Sequence, residues 1–136
     1  MQAATSFDEG IENIKKLVAR QVKGIDFSAY QDIVFVSKSI GTIIAGGFEN
    51  ELGIGNIRHI YLTPIEKTLE YINSGKNIDI IIAGTSDRHL DSEILRNHCE
   101  NERMHLKLIE GADHSLEVPG SMSANIDILK KIVELY

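Results

Sequence analysis

Short apolar runs alternate with amphipathic stretches along the chain, and this alternation predicts βα units building a mostly parallel sheet. The first stretch is helical. Ile11, Ile14, Leu17 and Val18 make one stripe, Ser6 and Glu9 have the spacing of a capping box, and Gly24 follows as a stop. Asp32–Val36 reads as the first strand, followed by the turn Ser37-Lys38-Ser39-Ile40-Gly41-Thr42. A second helix then runs to about Leu52, with Gly53 and Gly55 ending it. Ile57–Leu62 is the second strand, and Thr63-Pro64-Ile65-Glu66 carries the signals of a helix start: cap, proline and acidic residue. Ile78–Ala83 is the third strand, 91–100 a helix, Met104–Ile109 the fourth strand, and Ile126, Leu129, Ile132 and Val133 mark a final helix.

Two strand types stand out. Ile33-Val34-Phe35-Val36 and Ile80-Ile81-Ile82-Ala83 are apolar at every position, as expected for parallel strands covered by helices on both faces. Met104-His105-Leu106-Lys107-Leu108 alternates and predicts an edge strand. The expectation is a single three-layer α/β domain over 1–136, with about four strands flanked by helices.

Composition narrows the function classes. A net charge of -6 argues against a nucleic-acid surface, which needs clustered Lys and Arg. The lone cysteine, Cys99, cannot form an internal disulfide and suits a reducing, cytoplasmic setting. Met1–Gly10 lacks the pattern of a signal peptide, and no apolar run reaches the ~20 residues of a membrane span. No histidine pair has metal-site spacing, so neither a metal nor a cofactor is expected.

Chemistry enters at three loops. Ser39, Asp87 and His114 each follow a predicted strand, and in an open α/β sheet ligands bind at the carboxyl ends of the strands. Ser37-Lys38-Ser39-Ile40-Gly41 resembles a G-x-S-x-G nucleophile elbow, with Ser37 in place of the first glycine. A serine–glycine turn capping a helix explains the same segment. Asp87, after Gly84-Thr85-Ser86, has the residue type to orient an imidazole or to close a turn; Asp91 is its neighbour but reads as a helix cap. In Gly111-Ala112-Asp113-His114-Ser115, His114 can take and return a proton near neutral pH, with His89 the only local rival. Lys38 and Thr63 are candidates for the mouth of the site.

The order serine, acid, histidine and the Gly-x-Asp-His-Ser loop resemble the α/β-hydrolases, and from about Asp32 onward the chain is similar to the second half of that domain. The resemblance implies Ser39 as nucleophile, His114 as general base and then acid, Asp87 as orienting carboxylate, and the Ile40 backbone N–H as an oxyanion donor. It implies acyl transfer to water on a small ester or thioester. The family's first strands have no counterpart before Asp32. If strand order follows the family, 32–36 lies on a sheet edge, and a second copy of the chain is expected to cover it. A non-catalytic remnant serving as a binding or oligomerisation module is the alternative. A phosphate-cradling domain is a third reading, weakened by the absence of a glycine-rich phosphate motif.

Overall fold

Four parallel strands stand in chain order across one sheet: β1 (Ile33–Lys38), β2 (Ile57–Leu62), β3 (Ile78–Gly84) and β4 (Leu106–Ile109). The computed structural model describes residues 2–54 and 57–136. Helices α1 (Gln2–Val22), α2 (Ile40–Leu52), α3 (Ser92–Asn101) and α4 (Met122–Val133) flank the sheet. The architecture is therefore α/β in three layers.

The two sheet faces build separate cores because successive side chains of a strand point to opposite sides. On one face Tyr61, Ile81 and Ala83 pack with Ala45 of α2, Leu95 and Cys99 of α3, and Phe35 of β1. On the other, Ile60, Leu62, Ile80 and Ile82 pack beneath Ile128 and Ile132 of α4. Thus α4 covers β2 and β3.

Several boundaries depart from the pattern-based expectations. The first helix begins at Gln2, so Ser6 and Glu9 lie inside it and do not form its start. Strand β1 continues through Lys38, which compresses the turn before α2 to the single residue Ser39. Gly53 caps α2 in the left-handed conformation (φ 62°), whereas Gly55 falls outside the described residues. No α-helix starts at Thr63-Pro64. Thr63 has a positive φ of 44° and gives its N–H to Ile82, so the segment stays tied to the sheet, and a short 3₁₀ turn forms at Glu66–Tyr71.

The expectation for β4 holds: it is one edge of the sheet. The expectation that Ile33–Val36 is covered on both faces does not. β1 is the opposite edge, as the strand order of the resemblance implied, but Val36 remains 42% exposed although the segment is as apolar as a central strand. Periodicity reports what a strand is fit to bury, and here part of that surface is left open.

Candidate active site

The sheet brings three distant stretches of chain to one rim. Ser39 sits between the end of β1 and the start of α2 with φ 54° and ψ -123°, a conformation that costs a non-glycine residue of order 1–3 kcal/mol. Its N–H still bonds to Leu62 of β2 at 3.0 Å, and its carbonyl is held by the Thr42 hydroxyl at 2.6 Å. Thr42 is itself fixed by Thr68 at 2.7 Å, both buried. The Ser39 hydroxyl makes no capping bond to α2. The simple capping explanation of this serine is thereby removed.

The histidine loop folds back onto β3. Ser86 donates to the Ala112 carbonyl at 2.9 Å, and the Gly111 N–H reaches the Thr85 hydroxyl at 2.8 Å. Asp113 stitches the loop internally by accepting from the Ser115 and Glu117 N–H groups. Lys38 donates to the His114 carbonyl at 3.1 Å, tying the loop to the end of β1.

At the centre, His114 joins the other two groups. Its Nδ1 lies 2.8 Å from Asp87 Oδ2 and its Nε2 lies 2.8 Å from Ser39 Oγ. A carboxylate only accepts, so the tautomer satisfying both bonds carries its proton on Nδ1, and Nε2 accepts from the serine hydroxyl. Asp87 is 8% exposed, and its second oxygen accepts the His89 backbone N–H at 2.8 Å. Asp87 thus closes a turn and holds the imidazole at once. Ile40 is the first residue of α2, so its N–H is free of the helix ladder beside the Ser39 hydroxyl.

Asp91 caps α3 by accepting from Glu93 and Ile94, as its position suggested. Lys38 is exposed at the rim. Thr63 is not at the mouth: it is fully buried, with its N–H bonded to Ile82 of β3, so that placement is corrected. His89 supplies something the sequence reading did not foresee, a ring 4.2 Å from the His114 ring that walls one side of the imidazole. His98 bonds the Ile72 carbonyl at 2.7 Å, and His59 is buried against Glu49. Cys99 is buried, which pushes its thiol up to about 11. An open depression of about 350 Å³, lined by Ser86, Arg88, His89 and Pro119, borders His114.

No family model matches the chain, and no curated protein sequence does. Solved structures do match. An alpha-beta serine hydrolase homologue from Coxiella burnetii superposes with a TM-score of 0.61 at 17% identity, over 88% of this chain and 55% of that one. A predicted CIB-like hydrolase from Thermoplasma acidophilum gives 0.63 at 11% identity, over 92% and 59%. A thermophilic esterase from Thermogutta terrifontis, bound to butyrate, gives 0.57 at 19% identity, over 92% and 63%. The chain therefore spans between half and two thirds of these proteins. Over that span its sheet and flanking helices have the α/β-hydrolase fold.

Proposed function

We propose that the chain is a serine hydrolase acting on small esters or thioesters. The observation that carries this reading is the position of His114, 2.8 Å from both Ser39 Oγ and Asp87 Oδ2. In the reaction Ser39 Oγ attacks the acyl carbonyl while its proton passes to His114 Nε2. Asp87 holds the imidazolium that forms. The tetrahedral oxygen is met by the Ile40 N–H at the start of α2. His114 then protonates the departing alcohol or thiol, leaving the acyl group on Ser39, and a water activated by the same nitrogen releases the acid. The reading needs no cofactor, and the net charge of -6 disfavours a nucleic-acid substrate. Buried Cys99 suits a cytoplasmic setting.

Support comes from the structural neighbours, which include a serine hydrolase homologue and an esterase bound to butyrate. The test is covalent. A fluorophosphonate should label Ser39, and hydrolysis of p-nitrophenyl butyrate should vanish with Ser39→Ala. Folded protein that neither labels nor turns over would instead support a non-catalytic binding module. The observation favouring that alternative is the span of 55–63% of the hydrolases it matches, with only the Ile40 N–H identified as an oxyanion donor. One missing donor typically costs ~10²–10³ in turnover.

A further inference from the structure

In acyl transfer, the leaving atom must come within hydrogen-bond reach of the group that protonates it. For this chain that group is His114 Nε2, 2.8 Å from Ser39 Oγ. Whatever is bonded beyond the leaving atom must then run out past the imidazole. The depression of about 350 Å³ has His114 in its wall, and its size is at the lower end of small-ligand sites.

The turn that orients the imidazole also carries a charge into this depression. One oxygen of Asp87 accepts the His89 N–H at 2.8 Å, and the other meets His114 Nδ1 at 2.8 Å. Arg88 stands between those two residues, so the same bonds fix its backbone relative to the triad. Its side chain is exposed and lines the depression. Among the described residues it has no ion-pair partner, whereas Arg58 and Arg96 are both paired.

Most of the other polar walls can donate as well. Ser86 and Ser115 bring hydroxyls, and the His89 ring lies 4.2 Å from that of His114. The one carboxylate in the lining, Asp113, already accepts the Ser115 and Glu117 N–H groups on Oδ1. A guanidinium offers a fork of donors that matches carboxylate or phosphate at two points. The net charge of -6 draws no anion from a distance, so any such attraction is local and screened by salt.

We propose that this depression receives the leaving group, and that Arg88 selects alcohols or thiols bearing an oxyanion, either carboxylate or phosphate. This rests on the serine-hydrolase reading and names its substrate class: esters or thioesters that release an anionic alcohol or thiol. The bond broken joins the acyl carbon to the leaving oxygen or sulfur, and the His114 proton goes to that atom. The oxyanion takes no part in the bond change and stays on Arg88 until the product departs.

Four butyryl thioesters that differ only in the thiol test the proposal, with released thiol as the signal. The thiols are 2-mercaptoethanol (neutral), 3-mercaptopropionate (carboxylate), 2-mercaptoethyl phosphate (phosphate) and thiocholine (cation). In wild type, kcat/KM should be about fivefold higher for the anionic thioesters than for the neutral one, the upper scale of an exposed ion pair. The difference should lie in KM, and thiocholine should be poorest. The larger of the two anionic values tells carboxylate from phosphate. Arg88→Gln should bring the anionic-to-neutral ratio near one, Arg88→Lys should restore part of it, and Arg88→Glu should invert it in favour of thiocholine. Ratios within one variant do not depend on how much of it is folded. A wild-type ratio near one, or a ratio that survives Arg88→Gln, would overturn the proposal.

Binding separates this subsite from hydrolysis. Ser39→Ala titrated with the carboxylate and neutral thioesters should show the same fivefold difference in Kd. If that difference appears while wild type turns over nothing, the anion subsite stands and the hydrolase reading falls. Equal turnover of all four thioesters does the reverse, and equal Kd values sink the subsite in either case.

Discussion

A Cβ placed on Gly84 would stand 2.0 Å from the carbonyl oxygen of Ala112. The end of β3 and the base of the histidine loop touch backbone to backbone, and this contact sets the height at which His114 approaches Asp87. Gly84→Ala should therefore cost about 3 kcal/mol, and hydrolysis should fall further than the loss of folded protein explains. Gly41→Ala is the control, because a Cβ there meets only Ser37 at an ordinary 3.8 Å. Urea unfolding and active-site labelling of the two variants separate the cases.

Ser39 holds a backbone conformation suited to glycine. Ser39→Gly should stabilise the protein by about 1 kcal/mol while abolishing covalent labelling. A variant that is less stable than wild type would show that the hydroxyl–imidazole bond outweighs the backbone strain.

The buried pair Thr42 and Thr68 forms a relay. Ile65 N–H donates to Thr68, Thr68 to Thr42, and Thr42 to the Ser39 carbonyl. Thr42→Val strands the Thr68 hydroxyl and should cost about 1–3 kcal/mol. It should also slow acylation, since the elbow loses its anchor. The Thr42→Val, Thr68→Val double variant should cost less than the sum of the singles, which a double-mutant cycle measures directly.

His59 gives a pH dependence. Burial lowers its basicity below that of a free imidazole, against the opposing pull of Glu49 at 3.1 Å. The unfolded chain therefore takes up this proton at a higher pH than the folded one. Stability from this residue is complete above about pH 6.5 and is lost as the pH falls. Denaturation midpoints at pH 7.5 and 5.5 should differ more for wild type than for His59→Phe. The remaining histidines are common to both proteins and cancel.

Much of the site was legible because its residues follow strands whose apolar runs are unmistakable. Ser39, Asp87 and His114 needed only a parallel sheet to meet at one rim, and that sheet was written in the alternation of runs and helices. The glycine on which the site depends was not legible in the same way. Gly41 fits the elbow pattern yet has room for a side chain, whereas Gly84 looks like any strand-end glycine until the Ala112 carbonyl is seen against it. Thr63 misled because a threonine before a proline reads as a helix cap, while its N–H is already committed to Ile82. Likewise, apolar residues at every position of β1 implied full cover, since sequence records the capacity to be buried and not the presence of a neighbour.

Each strand pairs with the one synthesised just before it. Growth of the sheet on a ribosome can thus proceed one βα unit at a time, with no strand waiting for a distant mate. The His114–Ser39 hydrogen bond is the exception to this vectorial assembly, since the imidazole at position 114 must cross 75 residues of chain to find its serine. Reactivity of Ser39 would then appear only when the last loop has docked, making it a late reporter of folding that backbone spectroscopy alone would miss.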